Sequence, residues 1–162
     1  MRYPESMLEE ELKNRVGEVF FADYNHSTIK GRVDFTIADK QLFMGEPIEY
    51  LWAEAKRGKA NLDHALIQLI LTIGRAQLQT KQAPPPYLGA FDAEHIYFIP
   101  YFKLHDIFSM NDFNWNVTPS DHTTKEFALL SERVQSIIEQ ENLTFDFIKD
   151  EKELRKFIKK NF

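Results

Sequence analysis

Two strand-like runs joined by a turn-rich connection constrain the fold of this chain more than any other feature. They lie in the stretch 30–59, KGRVDFTIADKQLFMGEPIEYLWAEAKRGK. Apolar and polar residues alternate in Arg32–Ala38, and the side chains of Ile48–Arg57 also divide between two faces, as they do in strands. Breaker residues at Met44–Pro47 separate the runs, so we predict an antiparallel hairpin with a long loop.

The predicted hairpin brings charged side chains of both signs together. Asp34 lies on the first run, and Glu54 and Lys56 share one face of the second. Two carboxylates and an ammonium are costly to bury unless they pair or hold a cation. The carboxylate oxygens suit Mg²⁺, and Lys56 is within reach of a metal-bound water, which is the minimum set for hydrolysing a phosphodiester. The alternative is a cross-strand ion pair between Lys56 and one carboxylate on a solvated face of the sheet.

Length and composition limit the class of protein. The 162 residues suit a single domain, residues 1–162, and 43% hydrophobic with 14% aromatic residues is typical of a packed globular core. Cysteine is absent, which excludes a thiolate nucleophile and a cysteine-ligated zinc site. We find neither a signal-peptide pattern nor a run of membrane-spanning length, and therefore expect a cytoplasmic protein without a membrane partner.

The overall charge bears on possible partners. A net charge of −5 is unlike that of a stand-alone nucleic-acid-binding protein, which usually has a basic surface. Any contact with nucleic acid must therefore come from a local basic surface or from another part of a longer polypeptide. The last predicted helix reaches Phe162 without a stop signal, a pattern compatible with the N-terminal piece of a longer chain.

Residues 6–21 have the pattern of an amphipathic helix. Ser6 is the predicted N-cap, and acidic residues follow in the first turn. On a helical wheel, Glu11 and Glu18 fall beside the apolar stripe. From the helical pattern alone, a solvated flank of the helix is the favoured interpretation for each of these two glutamates.

A second helix is predicted over Lys59–Thr80, capped by Asn61 or Asp63. Its surface is apolar much of the way round, so we expect it to lie between two layers. One narrow polar stripe interrupts that surface, formed by His64, Gln68, Thr72 and Arg75. We predict that the stripe faces a cleft beside the acidic hairpin residues; the alternative is a helix edge that reaches water.

The remaining pattern predicts a mixed arrangement of strands and helices. A proline-rich turn at Pro84–Tyr87 leads into two short strands, a mostly irregular segment, and a helix opened by a capping box at Thr123 and Glu126. The predicted ranges are Leu88–Phe91 and His95–Tyr101 for the strands, Phe102–Asn116 for the irregular segment, a helix ending near Asn142, and a final basic helix capped by Asp150. The expected fold class is α/β, a mixed β-sheet with flanking helices.

The order of these residues resembles the PD-(D/E)XK nuclease superfamily. Val33-Asp34 is followed about twenty residues later by Glu54-Ala55-Lys56 on the next strand, and then by a helix with Gln68. The surrounding sequence is similar to the N-terminal nuclease region of bacterial type II restriction-modification proteins (IIG-like). The similar segments are GRVDFTIADK, LWAEAKRGK, QLILTIGRA and PPPYLGAFDAEHIYFIPY. Val33 stands where the superfamily name has proline, a variation that leaves the chemistry intact.

The resemblance implies a restriction-endonuclease-like core and a role for each matching residue. Asp34 and Glu54 would bind Mg²⁺, with Mn²⁺ as a possible substitute, Lys56 would act on the attacking water, and Gln68 would lie beside the site. An acidic residue of the first helix often completes such sites, and we expect Glu11, with Glu18 as the alternate.

The same resemblance implies a metal-dependent endodeoxyribonuclease acting in a restriction-modification system. Its expected partners are double-stranded DNA and methyltransferase and target-recognition domains in the same or a partner chain. The alternative is a non-catalytic module that keeps the nuclease fold for protein or interdomain contacts. Candidate substrate-binding residues near the predicted site are Lys30, Arg32, Arg57, Lys59, His64 and Arg75.

Overall fold

A computed structural model describes residues 2–26 and 33–162. The helices are α1 Glu9–Phe20, α2 Leu62–Ala76, α3 Leu78–Lys81, α4 Tyr101–Leu104, α5 Lys125–Glu141 and α6 Glu151–Asn161, with a 3₁₀ turn at His105–Ser109. The strands are β1 Phe35–Phe43, β2 Glu46–Ala55, β3 Tyr87–Phe91, β4 His95–Pro100 and β5 Leu143–Asp146. This arrangement confirms the predicted α/β class, a mixed sheet flanked by helices.

The five strands form one sheet in the order β1-β2-β3-β4-β5. Strand β2 is antiparallel to β1 and parallel to β3, and the β3–β4 and β4–β5 pairs are antiparallel. A parallel pair requires a connection that returns the chain to the same end of the sheet. Helices α2 and α3 lie in that connection, so the end of β2 leads directly into α2.

Two apolar cores lie on opposite faces of the sheet. Helices α2 and α5 cover the first, around Trp52 and Leu88, and helices α1 and α6 cover the second, around Phe35 and Phe98. Helix α2 contacts β2 and β3 on one side and α5 on the other, which confirms its predicted position between two layers. Its residues Leu66 and Ile70 are fully buried for this reason.

The predicted antiparallel hairpin is correct, but the predicted long loop is wrong. Strand β1 extends to Phe43 and β2 begins at Glu46, so only Met44 and Gly45 connect them. Both have positive φ, 53° and 81°, which suits a two-residue turn between antiparallel strands. Glycine adopts this conformation without steric cost, whereas Met44 adopts it with its side chain in solvent.

The simple face alternation predicted for the hairpin fails at two places. Val33 packs in the core under α2, whereas Phe35 packs in the core under α1, because regular pairing begins only at Phe35. Tyr50 was expected beside Trp52, but it packs against the α1-side core. The register explains this difference, since Leu51 pairs with Ile37 and the next pair skips Tyr50, which is therefore a bulge residue.

The first two helices differ from the predicted ranges at their ends. Helix α1 begins at Glu9 rather than at residue 7, and Ser6 does not cap it. Asn61 is the N-cap of α2, and its side chain accepts a hydrogen bond from the His64 N–H at 3.1 Å. The predicted second helix ends early because Gln77 has a left-handed conformation, with φ of 54°, which separates α2 from α3.

The C-terminal third contains one strand that the sequence pattern did not predict. Strand β5 has four residues and forms the edge of the sheet, where Asp146 pairs with His95. Helix α5 is capped by Thr124, not by Thr123, and the Thr124 hydroxyl accepts from the Phe127 N–H at 3.1 Å. No helix in the described part of the chain is both long and apolar enough to cross a membrane.

Candidate active site

Four of the predicted site residues meet where the hairpin joins helix α2. Phe35 pairs with Ala53, so Asp34, one residue earlier, lies across from Glu54 near the end of β2. Lys56 follows β2 directly, and its backbone N–H donates to Phe91 O at the end of β3, at 2.9 Å. Gln68 extends from the face of α2 that packs toward these strands, as the hydrogen bonds of its side chain show.

The Gln68 amide connects the acidic and basic groups. Its Nε2 donates to Glu54 Oε1 at 3.1 Å, and its Oε1 accepts from Lys56 Nζ at 2.8 Å. Lys56 Nζ also lies 3.6 Å from Glu54 Oε1. The ammonium is therefore held between a carboxylate and an amide oxygen. Because only 25% of the Lys56 side chain is exposed, few of its rotamers remain open.

The two carboxyl groups are in an environment that disfavours their charge. Burial, followed by the negative charge of Asp34, raises the pKa of Glu54 to about 8, although the Lys56 ammonium opposes the change. Burial also raises the pKa of Asp34 to about 6, against the opposing charge of Lys13. A cation placed between the two groups would favour the charged form of both.

Asp34 has an unsatisfied oxygen. Its Oδ1 is buried and has no hydrogen-bond donor among the described residues, while Oδ2 lies 3.9 Å from Lys13 Nζ. Lys13 is itself nearly buried and also pairs with Glu10. A buried carboxylate oxygen without a donor is costly, and a bound cation is one way in which proteins satisfy such an atom.

Glu9 is the acidic residue of α1 that acts on this group. Its charge raises the pKa of both Asp34 and Glu54, and it is half-buried. Glu11 is exposed and pairs with Arg15 at 3.9 Å, and Glu18 is exposed as well. The structure thus does not bring Glu11 to the other four predicted residues. Helical spacing could have identified Glu9 from the sequence. Glu9 lies three residues before Leu12 and four before Lys13, so it shares the buried face of α1 with them.

His122 contacts the site from the segment that precedes α5, and no sequence pattern predicted this contact. Its Nε2 lies 2.9 Å from Gln68 Oε1, and its ring stacks on Phe127 with centroids 4.3 Å apart. The His64 ring meets both rings edge-on. Partial burial of the ring lowers the pKa of His122, and the charges of Lys56 and His64 lower it further. A neutral His122 with its proton on Nε2 donates to Gln68.

Comparisons with protein-family models, curated proteins and solved structures return no match.

The predicted substrate-binding cations lie in different surroundings. Arg57 Nε donates to Glu5 O at 3.4 Å, and Lys59 Nζ lies 3.9 Å from Glu94 Oε2. Arg75 is exposed and has no ion pair or hydrogen bond from its side chain to any residue in the described ranges. Lys30 and Arg32 lie outside the described residues.

A second group of potential metal ligands lies at the β4–β5 edge. One ligand atom from each of Glu94, His95 and Asp146 lies within 4.8 Å of the others. Asp146 Oδ1 already accepts two backbone N–H groups at 2.8 and 2.9 Å, and its Oδ2 lies 3.5 Å from His95 Nε2. These bonds explain the conformation of the turn before α6 without a metal, although the three residues could hold one.

Proposed function

We propose that this chain is a Mg²⁺-dependent nuclease domain that hydrolyses phosphodiester bonds of double-stranded DNA. One observation supports this proposal above the others. Two carboxyl groups with raised pKa values, Glu54 buried and Asp34 partly buried, lie beside a lysine that an amide holds in place, and the buried Asp34 Oδ1 has no hydrogen-bond donor among the described residues. Lys13 and Lys56 each lie near one of the carboxylates, yet Asp34 Oδ1 has no donor among the described residues, whereas a purely structural pairing of charges would satisfy these oxygens.

The residues present fit a hard divalent cation. Asp34 and Glu54 provide carboxylate oxygens, which Mg²⁺ prefers, and Mn²⁺ binds similar ligands. Glu9 is half-buried, and its negative charge acts on Glu54 and would add to the attraction for a cation. Mg²⁺, when bound, lowers the pKa of water and neutralises charge on a phosphate.

Lys56 and Gln68 would act on the reacting groups. Gln68 fixes the Lys56 ammonium, which can donate to a water and so orient the water for attack on phosphorus. Hydrolysis forms one bond from the water oxygen to phosphorus, breaks one bond from phosphorus to a bridging oxygen, and transfers one proton overall to the released oxygen. The positive charge of Lys56 also stabilises the negative charge that develops on the phosphate.

The choice of DNA and of partner domains rests on the resemblance to type II restriction-modification proteins. Methyltransferase and target-recognition domains, in the same or a partner chain, would supply the sequence reading. The chain itself has a net charge of −5 and few unpaired cations near the site, so it would bind DNA weakly.

Plasmid cleavage tests the proposal. We expect wild-type protein to cut plasmid DNA slowly with Mg²⁺, without discrete fragments, and to leave it intact in EDTA. The Glu54→Gln variant should be inactive, whereas Glu139→Gln, on the exposed side of α5, should cut as the wild type does. The proposed function would be contradicted if Glu54→Gln and the wild type cut equally well. It would also be contradicted if the wild type did not cut with Mg²⁺ or with Mn²⁺. Discrete, reproducible fragments would instead show that recognition resides in this domain.

A further inference from the structure

A polar cleft of about 600 Å³ lies at the far end of helix α2 from its N-cap. One wall is formed by the end of α2 and by α3, and the other by residues 108–116. Trp115 fixes the two walls together, because its ring lies against Gly74, where a Cβ atom would come within 2.2 Å of the ring. Phe108 and Phe113 pack against the same ring.

The lining of this cleft differs from the rest of the surface in charge. The chain has 25 acidic residues, yet none of them lines the cleft, and Arg75 contributes a guanidinium that has no ion pair within residues 2–26 and 33–162. Asp112 belongs to the segment 108–116 but does not line the cleft, and it is already paired with Arg133 at 3.3 Å. The cleft therefore presents one available positive charge and favours an anionic ligand.

Amide side chains supply most of the other polar groups. Gln77, Gln79, Asn111 and Asn116 line the cleft, and their side chains make no hydrogen bond to other residues in the described part of the chain. The Gln79 Oε1 is shielded from solvent and has no hydrogen-bond donor among the described residues. The exposed amides of Gln77, Asn111 and Asn116 each offer both a donor and an acceptor, the pattern with which Asn and Gln recognise base edges. A volume of this size accommodates a small ligand.

The cleft is aligned with the candidate active site. Arg75 follows Gln68 by seven residues, nearly two helical turns, so both lie on the same stripe of α2 about 10 Å apart. Neighbouring phosphates of one strand lie about 3.4 Å apart along the helix axis and further apart in space, so this separation spans fewer than three nucleotides. A strand whose phosphate is at Lys56 would thus place a nearby nucleotide at the cleft.

We propose that this cleft binds a nucleotide of the DNA strand that is cut, close to the scissile phosphate, an inference that rests on the proposed function. Arg75 contacts the phosphate of that nucleotide, and the amide side chains contact its base. The site adds affinity and a preference at one base, too little to produce discrete fragments from a plasmid.

DNA binding without divalent metal tests this proposal separately from catalysis. A fluorescein-labelled 20-base-pair duplex is titrated with the full chain and its anisotropy is recorded. Arg75→Ala should weaken binding about tenfold and Arg75→Lys less, as expected for a lost charge-assisted contact. Arg15→Ala removes an equal charge from helix α1, on the opposite face of the sheet, and should bind as the wild type does.

Tryptophan emission gives an independent readout with an unlabelled duplex. Trp52 is fully buried in the core and Trp115 is half-buried at the cleft, so a ligand in the cleft should change the Trp115 signal. Trp115→Phe should abolish that change. Unaltered affinity in Arg75→Ala, or unaltered Trp115 emission at saturating DNA, overturns the proposal. Either result would leave the proposed nuclease activity intact if the wild type still cuts DNA in a metal-dependent way. A wild type that does not cut would contradict the proposed active site and not the binding of DNA at the cleft.

Discussion

Gln68 Nε2 donates to Glu54 Oε1 at 3.1 Å, which links helix α2 to the end of strand β2. The same amide holds Lys56 and meets His122, so four side chains from three separate segments share one hydrogen-bond network. Networks of this kind restrict each member more than a pairwise contact does.

Removing either carboxylate should remove the metal response. We expect Mg²⁺ or Mn²⁺ to raise the melting temperature of the wild type, because the unfolded chain has no comparable site. Asp34→Asn or Glu54→Gln should abolish this rise, measured by differential scanning fluorimetry. Glu94→Gln should retain it; if Glu94→Gln loses the rise and the other two keep it, the metal belongs to the β4–β5 edge.

Stability without metal should fall as the pH rises. The pKa of Glu54 is about 8 in the folded protein and 4.5 ordinarily, and that of Asp34 is about 6 instead of 3.8. The folded state therefore holds protons that the unfolded state releases, and this contribution is lost as the pH rises through about 6 and then 8. In EDTA, the melting temperature of Glu54→Gln should exceed that of the wild type at pH 8.5 and approach it near pH 5. Glu11→Gln, a change at an exposed glutamate, serves as the control. If the melting temperature depends on pH in the same way for all three proteins, Glu54 does not hold a proton in the folded state at neutral pH.

Lys56 should matter for turnover more than for metal binding. Its ammonium repels a cation while it orients the water, so Lys56→Met should keep or tighten metal binding and lose cleavage by roughly 10²-fold or more, the scale for a lost proton-transfer group. Lys103→Met, an exposed lysine paired with Glu141, is the matched control. Normal cleavage by Lys56→Met would reduce Lys56 to a structural ion pair with Glu54.

His122 should act as a positioning residue for Gln68 and Lys56. His122→Ala removes a donor to the Gln68 amide without opening a core, so cleavage should fall about tenfold while the melting temperature stays unchanged. His122→Gln, which retains a donor, should restore part of the rate. His105→Ala, an exposed histidine on the 3₁₀ turn, is the control. An unchanged rate in His122→Ala would assign its contact with Gln68 to packing alone.

The sequence predicted the local features of the site better than its long-range ones. Asp34, Glu54 and Lys56 lie on one hairpin, and Gln68 follows on the next helix, so strand and helix periodicity sufficed to bring them together. His122 lies 54 residues beyond Gln68, and no local pattern indicates that contact.

The errors in the fold have equally specific causes. Strand β5 has four residues and alternates too briefly to be distinguished from a loop. The choice of Glu11 followed the edge of an apolar stripe, whereas the buried face of α1 includes Lys13, a residue type rarely found in cores. Lys13 pairs with Glu10 of its own helix and also lies 3.9 Å from Asp34 Oδ2, a neighbour that another part of the chain supplies.

The most direct test of the metal site is anomalous diffraction from crystals soaked in Mn²⁺. We expect a peak between Asp34 and Glu54, with carboxylate oxygens from both residues about 2.0–2.3 Å from the ion, as oxygen ligands require. The same soak of Glu54→Gln crystals should give no peak at that position. A peak only at Glu94, His95 and Asp146, or at neither place with saturating Mn²⁺, would contradict the assignment of the hairpin carboxylates as metal ligands.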